Sequence, residues 1–265
     1  MSAIGSLFSG IGLLELGLER SGLGSVAWQC EIDPWCRRVL AKHWPEAERF
    51  DDVRTIRPRA ADVICGGFPC QPFSVAGKQR ELADERWLWP EFARVIDEAK
   101  PEIVVAENVP GLRARGLRPV LADLASLGFN VEWHHFRASD LGAPHERNRI
   151  WIVATHPDRI DVRRQPGWLG RSIERQVSAV DRQAGGNAAD ANGIGRLESA
   201  RRFAVQRGWA RKCGWTLDPI ARMDDGRKRI VDAGRRRKAL GNAVVVPCAR
   251  AVGRAIVDAV SVNGG

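Results

Sequence analysis

A single cysteine lies in a turn that could present a nucleophile. Cys70 follows the glycine- and proline-containing run Gly66–Pro69 and precedes a polar, small-residue flank, Gln71–Ser74. The turn comes directly after Ala61–Cys65, an apolar run typical of a β-strand. A thiol at the carboxyl end of a strand in a doubly wound sheet stands where such sheets place their chemistry. The alternative is a buried structural cysteine, and the polar flank argues against it.

A second group of residues is typical of a nucleoside site. Phe8–Gly12 joins an apolar run to a helical stretch, and its glycines let a ligand approach the backbone closely. Glu31 ends the next apolar run, where an acid can bind the two hydroxyls of a ribose. Asp52 follows, and its carboxylate can accept from an adenine amino group. The sequence has no third glycine in dinucleotide spacing and no P-loop lysine, so it predicts an adenosine ligand without a pyrophosphate.

The positive charge of the chain is concentrated in one segment. The formal net charge is +9, and residues 158–238 carry 20 basic and 10 acidic residues. The rest of the chain carries 21 basic and 22 acidic residues. A neutral body with a basic appendage indicates a polyanionic substrate held by the appendage. The alternative is a solvated arginine-rich surface.

The first 155 or so residues alternate short apolar runs with amphipathic stretches, which predicts an α/β fold with a mostly parallel sheet and helices on both faces. The last two strands are separated only by residues 138–148, too few for a crossover helix, so an antiparallel end to the sheet is expected. The predicted strands are Ile4–Phe8, Val26–Glu31, Asp62–Cys65, Ile103–Ala106, Asn130–Arg137 and Arg149–Ala154. The predicted helices are Leu13–Ser21, Trp35–His43, Trp89–Ala99 and Leu117–Ser126.

The composition changes near residue 158, where Gly, Arg, Asn and Gln become frequent and apolar periodicity is poor. This pattern predicts a small, loop-rich domain over 158–238. Periodicity returns from Val246 to Val260, in a helix expected to pack on the first domain. The predicted catalytic and cofactor-binding domain therefore comprises residues 1–157 and is completed by 239–265.

The cysteines, the histidines and the lengths of the apolar runs argue against a disulfide-rich, zinc-binding or membrane-spanning protein. The six cysteines show no CxxC spacing and the five histidines no zinc spacing, so free thiols and no metal are expected. No apolar run approaches the ~20 residues that span a bilayer. The first residues lack the basic start and apolar core of a signal peptide, so the expected location is the cytosol.

Seven short motifs, taken in order, resemble those of the C5-cytosine DNA methyltransferases. One such tripeptide is a common accident, whereas seven in order at sensible spacings are specific. The resemblance covers nearly the whole predicted catalytic domain and implies a Rossmann-like methyltransferase sheet with a small target-recognition domain. The motifs are Phe8–Gly12, Glu31–Asp33, Asp52–Val53, Pro69–Ser74, Glu107–Val109, Arg147–Arg149 and Gly241–Val244.

The resemblance implies covalent catalysis. Cytosine C5 is a poor nucleophile, so the family adds a cysteine thiolate at C6, a role that matches Cys70. Glu107 would be protonated beside the base and hydrogen-bond N3 and the exocyclic amine. Arg149 would donate to the base O2 and Arg147 would support the site, and their spacing places both on one face of a strand. The alternative is that the arginines form ion pairs at a sheet edge.

The resemblance also implies the ligands: S-adenosyl-L-methionine as methyl donor and double-stranded DNA with a flipped cytosine as substrate. Segment 158–238 would read the target sequence, and the chain would act as a monomer in a bacterial or phage-infected cell. The DNA would be contacted by Gln71, Ser74, Lys78 and Arg86 of a mobile active-site loop. The cofactor would contact Phe8, Gly10, Ile11, Gly12, Glu31, Ile32, Asp52, Val53, Pro69, Leu88, Asn242 and Ala243.

Two positions depart from the family pattern. Leu13 stands where a third glycine is usual, and His145 where a glutamine commonly precedes the arginine motif. Neither departure removes a residue that the reaction requires. The predicted function is a DNA (cytosine-5-)-methyltransferase, of the kind found in restriction–modification systems. The alternatives are an RNA (tRNA) cytosine-5 methyltransferase and a DNA-binding relative that has lost turnover.

Overall fold

The computed structural model describes residues 1–69, 87–143, 145–160, 162, 166–183 and 243–261. Within these ranges the chain forms seven strands, seven α-helices and one 3-10 helix, Ala138–Leu141. The strands are β1 Ser2–Leu7, β2 Gly24–Cys30, β3 Glu48–Phe50, β4 Val63–Gly66, β5 Ile103–Asn108, β6 Asn130–Arg137 and β7 Asn148–Thr155. The helices are α1 Leu13–Ser21, α2 Pro34–His43, α3 Trp89–Ala99, α4 Leu112–Arg115, α5 Leu117–Ser126, α6 Trp168–Gln183 and α7 Val246–Ser261.

The strands form one sheet in the order β3-β2-β1-β4-β5-β7-β6. The five strands from β3 to β5 pair in parallel, and β7 runs antiparallel to both β5 and β6. The predicted α/β class and the antiparallel end of the sheet are confirmed. The bounds of α1, α3, α5 and β6 are the predicted ones, because each of these elements has a regular apolar pattern between clear breaks.

Apolar side chains from the two faces of the sheet form separate clusters, which gives the fold its layered form. On one face, strand residues such as Ile64 and Val104 pack with Phe92 of α3 and Val120 of α5. On the other face, the sheet packs against α1, α6 and α7. The predicted placement of helices on both faces is therefore confirmed.

Helix α7 packs directly on α1 through close backbone contacts. A Cβ added to Gly17 of α1 would lie 2.3 Å from the Ala249 Cβ of α7. A Cβ added to Gly253 of α7 would lie 2.3 Å from the Ser21 Oγ at the end of α1. Because neither position has room for a side chain, the two helices approach more closely than larger residues would allow.

Helix α6 corrects the expectation of poor apolar periodicity after residue 158. Its apolar residues Leu169, Ile173, Val177 and Val180 recur at helical spacing and belong to the cluster shared with α7. Glu132 of β6 accepts hydrogen bonds from the backbone N–H groups of Gly167 and Leu169, which cap the start of the helix. The loop-rich domain over 158–238 stays a prediction, because residues 184–238 lie outside the described ranges.

The helices described here include none that is both long enough and apolar enough to cross a membrane.

A carboxyl group is buried between α1 and the sheet. Glu15 has 0 % of its surface exposed, and burial raises its pKa from 4.5 to about 7. Beneath it, Ser6 pairs with Gln29 of β2 on one side and with Cys65 of β4 on the other. Interactions with Ser6, Ser9 and Gln29 oppose the rise in pKa. Between pH 4.5 and about 7, Glu15 therefore holds a proton in the folded state that it would release in the unfolded chain.

Replacing Glu15 with glutamine should stabilise the protein at neutral and alkaline pH. The folded state retains a proton that the unfolded chain loses above pH 4.5, so the wild type loses stability from pH 4.5 to about 7. Glu15→Gln does not titrate, so its advantage in unfolding free energy should be near zero below that window and about 3 kcal/mol above it. Urea unfolding of both proteins across pH measures the difference. A constant advantage at every pH would contradict the raised pKa.

Candidate active site

The order of the strands places several loops at one edge of the sheet. β1 lies between β2 and β4, and the chain continues from β1 to one side and from β4 to the other. Ligands of open α/β sheets bind at such a reversal, outside the carboxyl ends of the strands. The predicted residues that follow β1, β2, β3 and β4 are brought to this edge: Phe8–Gly12, Glu31–Ile32, Asp52–Val53 and Gly67–Pro69.

The loop after β1 has a strained backbone. Phe8, Gly10 and Gly12 have φ angles of 55°, 57° and 81°, in the left-handed region that favours glycine. A Cβ added to Gly10 would meet nothing within 4 Å, whereas one added to Gly12 would lie 2.3 Å from the Trp44 ring. The loop is therefore packed tightly at Gly12 and open at Gly10, where a ligand can reach the backbone.

Glu31 links the first two loops. Its Oε2 accepts a hydrogen bond from the backbone N–H of Gly10 at 2.7 Å, and its Oε1 accepts one from Asp33 at 2.8 Å. Each carboxylate oxygen has a further lone pair, so both can still accept from a ligand hydroxyl. Ile32 beside it has 66 % of its surface exposed, which leaves an apolar surface next to the acid. An acid beside an exposed apolar side chain suits a ribose and its attached base.

Other predicted cofactor residues have side chains that are less accessible to a ligand. The side chains of Ile11 and Val53 are buried in apolar clusters, so only their main chain can meet a ligand. Asp52 accepts a hydrogen bond from the backbone N–H of Arg54 at 2.9 Å. Ala243 packs beside the cluster that contains Ile11, which brings the last predicted motif to the first loop. Asn242 lies outside the described residues.

Aromatic rings form the side of the site next to α3. Phe8 stacks on Phe92 with ring centroids 6.3 Å apart, and Phe68 contacts the ring of Phe92 edge-on at 6.0 Å. Pro69 and Leu88 are half-buried beside this group, and Leu88 is the residue that precedes α3. The rings fix the loop after β4 against α3, so the backbone leading to residue 70 has a defined starting point.

Glu107 is the buried acid of the site. It has 8 % of its surface exposed, and its Oε1 lies 2.9 Å from the Arg149 Nε. The two side chains share a face, because Glu107 pairs with Trp151 and Arg149 stands two residues before Trp151. Burial raises the pKa of Glu107, while the charges of Arg149 and Arg147 act in the opposite direction. Arg149 thus forms an ion pair, but its partner is Glu107 and β7 lies between β5 and β6 rather than at a sheet edge.

The placement of Arg147 differs from the prediction. β7 begins at Asn148, and Arg147 precedes it with a φ of 30°, so the two arginines do not share one face of a strand. The positive φ of Arg147 follows from the turn before β7, where the Ala138 N–H donates to the Glu146 carbonyl at 2.7 Å. Burial lowers the pKa of Arg147, and the charge of Arg149 lowers it further. Glu107 raises that pKa, so the three charged groups are coupled.

The acid lies beside the turn that leads to the predicted nucleophile. A Cβ built on Gly67 would stand 3.4 Å from the Glu107 Oε2. The next residue in β5, Asn108, donates from Nδ2 to the Phe68 carbonyl at 3.0 Å. Cys70 lies outside the described residues, as do Gln71, Ser74, Lys78 and Arg86. The described part of the site therefore comprises the cofactor-side loops, the acid and the two arginines.

The comparison with protein families decides the identity. A sequence profile of the C-5 cytosine-specific DNA methylases matches residues 2–190, more than half of the chain. The chain belongs to this family.

Curated relatives of the chain carry the name Type II methyltransferase. M.NgoFVII of Neisseria gonorrhoeae is 33% identical over 163 residues, which are 58% of this chain and 43% of the relative. M.Eco47II of Escherichia coli is 38% identical over 166 residues, which are 58% of this chain and 40% of the relative. The chain thus spans about half the length of the curated relatives it matches, or less.

Solved structures show the same fold. A protein described as a DNA modification methyltransferase from an Escherichia coli prophage has a TM-score of 0.52 and 28% identity, over 61% of this chain and 49% of that one. The Dnmt2 methyltransferase of S. pombe has a TM-score of 0.63 and 15% identity, over the full length of both chains. At that identity the second likeness supports the fold alone.

Leu13, which stands where the family usually has a glycine, is accommodated in the apolar core of the chain. Leu13 is buried in a cluster with Ile11, Trp35 of α2 and Val246 of α7. A leucine here fills the space between these elements, so the position that is usually a glycine becomes part of the packing behind the cofactor loop. No signal in the sequence identifies these contacts.

Sequence reasoning also left out two residues that position the site. Asn108 fixes the Phe68 carbonyl, and its place in the Glu107–Val109 motif could have indicated a role. Trp44 covers Gly12, and its Nε1 donates to the Glu19 Oε2 at 3.0 Å. Trp44 follows α2 in a stretch that resembles no motif, so its contact with the first loop needed the structure.

Three described thiols of the chain are held in the neutral form. Burial raises the pKa of Cys30 to about 12 and raises those of Cys65 and Cys248 well above the ordinary thiol value. A neutral buried thiol is a poor nucleophile, so none of these three is suited to attack a substrate. The residues that the structure describes also contain no cluster of three or more His, Cys, Asp or Glu side chains that could bind a metal.

The two glycines of the first loop should respond differently to alanine. Gly10→Ala adds only the cost of a left-handed φ, about 1 kcal/mol of unfolding free energy. Gly12→Ala adds the same cost and forces its Cβ against the Trp44 ring, so its cost should reach about 3 kcal/mol or more. Gly22→Ala is a matched control, because Gly22 has a φ of 86° and open space around it. Urea unfolding gives all three values, and equal costs at Gly12 and Gly22 would contradict the Trp44 contact.

Proposed function

We propose that this methylase transfers a methyl group from S-adenosyl-L-methionine to C5 of a cytosine flipped out of double-stranded DNA, through a covalent adduct with Cys70. The observation that supports it best is the buried Glu107, paired with Arg149 beside the turn that leads to Cys70. An acid, two arginines and a cofactor-side cradle at one edge of the sheet are the groups that this reaction needs.

Glu107 is suited to exchange a proton with the base. Burial raises the pKa of Glu107 and favours its protonated form, while the neighbouring arginines act in the opposite direction. A protonated Glu107 can donate to cytosine N3 as negative charge develops on the ring. Arg149 can then donate to the base O2 while it balances the charge left on the carboxylate.

Cys70 is suited to be the nucleophile because of its neighbours in the chain. It directly follows Pro69, a half-buried residue beside the aromatic group next to α3. Its sulfur would form a bond to C6 while the C5=C6 electron pair moves into the ring and N3 gains a proton from Glu107. C5 would then bond to the methyl group as the bond between the methyl carbon and the donor sulfur breaks, which leaves S-adenosylhomocysteine. Loss of the C5 proton to water, return of the N3 proton to Glu107 and cleavage of the C6–S bond would restore the C5=C6 double bond and the thiolate.

The described loops fit S-adenosyl-L-methionine. Gly10 leaves the backbone open, Glu31 retains acceptor sites for ribose hydroxyls, and Ile32 offers an apolar surface for the adenine. Asp52 can accept from the adenine amino group. The cofactor supplies an activated methyl group on a sulfonium. Phe8–Gly12, Glu31 and Asp52 would hold its nucleoside end.

The DNA side of the proposal rests on charge. Segment 158–238 carries the excess positive charge of the chain, which suits contact with phosphates and a role in target recognition. Gln71, Ser74, Lys78 and Arg86 would contact the DNA around the flipped cytosine, and Asn242 would close the cofactor pocket. We further propose that the methylase acts as a monomer in the cytoplasm, where its substrate lies.

The proposed function is tested by bisulfite sequencing of plasmid DNA from cells that express the protein. The wild type should protect cytosines in one short sequence context, and Cys70→Ala should protect none. Cys36→Ala is a control thiol variant, because Cys36 is buried in α2 in the apolar cluster that contains Ile11, and it should protect the same cytosines. Protection by Cys70→Ala would refute the nucleophile, and absence of protection by the wild type would refute DNA methylation.

The methyl-transfer rate should depend on the protonation of Glu107. Its pKa in the folded state is raised, so the proton is present below that pKa and lost as pH rises through it. The rate at saturating DNA and cofactor should therefore fall on the alkaline side. Glu107→Gln should be at least about 100-fold slower and lack this alkaline decline. The same decline in both proteins would assign it to another group.

A further inference from the structure

Two of the cofactor-side acids are held in the same way. The Glu31 Oε1 accepts from the backbone N–H of Asp33 at 2.8 Å, and the Asp52 Oδ1 accepts from that of Arg54 at 2.9 Å. In each case the carboxylate binds the N–H two residues further along the chain. The orientation of each acid therefore depends on that peptide group, together with the Gly10 N–H that also holds Glu31 and the Arg54 guanidinium that lies 3.6 Å from Asp52.

An arginine holds the other side of the first peptide group. Arg37 of α2 donates from Nη1 to the Ile32 carbonyl at 2.9 Å and to the Glu31 carbonyl at 2.8 Å. The Ile32 carbonyl and the Asp33 N–H belong to one planar trans peptide, so they point in opposite directions. When Arg37 holds that carbonyl, the N–H is directed at the Glu31 carboxylate.

A second arginine does the same for the second peptide group. Arg94 of α3 donates from Nη2 to the Val53 carbonyl at 2.6 Å, and the N–H of that peptide is the Arg54 N–H that binds Asp52. Arg94 is itself held by two acids of its own helix, Glu91 and Glu98, each at 2.8 Å. Its guanidinium therefore has a fixed position from which to orient the loop after β3.

We infer that Arg37 and Arg94 are positioning residues for the methyl donor, each acting through one peptide group on one acid. A cation on the carbonyl polarises the peptide and strengthens the hydrogen bond that its N–H makes to the carboxylate. The acid is then held in one rotamer before the ligand arrives, so less conformational entropy is lost on binding. This inference rests on the proposed role of Glu31 and Asp52 in binding the adenosine.

The test is the affinity of the full chain for S-adenosylhomocysteine, the product that shares the adenosine, measured by calorimetry. Arg37→Met and Arg94→Met should each raise the Kd about five- to tenfold. Arg159→Met is a matched control, because Arg159 also donates to a main-chain carbonyl, that of Pro101 at 2.9 Å, but at the amino end of β5. Its Kd should stay within about twofold of the wild type.

A double-mutant cycle separates positioning from general loss of structure. The effect of Arg37→Met should largely vanish in a Glu31→Gln background and persist in an Asp52→Asn background. Arg94→Met should show the reverse pattern. With saturating cofactor, kcat should stay within about twofold of the wild type while KM for the cofactor follows the Kd. If Arg94→Met does not fold, Arg94→Lys replaces it and should show a smaller rise in Kd of the same pattern.

The outcomes separate this inference from the proposed function. A wild type that binds S-adenosylhomocysteine, with unchanged Kd in both arginine variants, would overturn the inference and leave the proposed cofactor standing. Equal effects of each arginine variant in both acid backgrounds would overturn it too. A wild type that does not bind the product would overturn both.

Discussion

The parallel pairing of β1 with β4 is the constraint on which the site depends. Their register joins Leu7 to Gly66, so both strands end at the same level and their loops leave the sheet side by side. The Phe8–Gly12 loop therefore starts next to the turn that leads to Cys70. β5 pairs with β4 in the same direction, which brings Glu107 to that level as well. One register sets the relative positions of three groups that are far apart in the sequence.

The face of the sheet that carries Glu107 has an unusual electrostatic character. Glu15 and Glu107 are both buried there, and burial raises the pKa of each. Only Glu107 has arginines beside it, so only its charge can be balanced locally. The buried thiol of Cys248 lies on this face as well, and the charge of Glu107 helps to raise its pKa. The same kind of burial thus raises the pKa of all three groups, and of the two acids Glu107 is the one with arginines beside it.

Much of the fold follows from patterns that the sequence shows directly. α1 and α3 have apolar residues at helical spacing between glycine or proline breaks, so their ends are predicted to the residue. β3 has only three residues and no apolar alternation, so the pattern does not reveal it. The stripe of α6 is helical, but the arginine- and glycine-rich composition around it masks the signal.

The sequence motifs indicated which residues form the candidate site, but not how their side chains are arranged. Motif order identifies Glu107, Arg147 and Arg149, since each motif carries a residue type that the chemistry needs. The positive φ of Arg147 arises from a turn closed by Ala138 and could not be derived from residue types. The carbonyl contacts of Arg37 and Arg94 join residues with no shared motif, so only the folded chain reveals them.

The glycine contact between α1 and α7 has a consequence for how the protein folds. α1 is the helix that the cofactor-side loop opens, and its partner α7 comes from the last described part of the chain. Contacts between such distant segments form late, because the entropy of closing the intervening chain must be lost first. The cofactor cradle should therefore acquire its final support only after the segment between α6 and α7 has been synthesised. Changes in the length of that segment should therefore alter the folding rate of the catalytic domain.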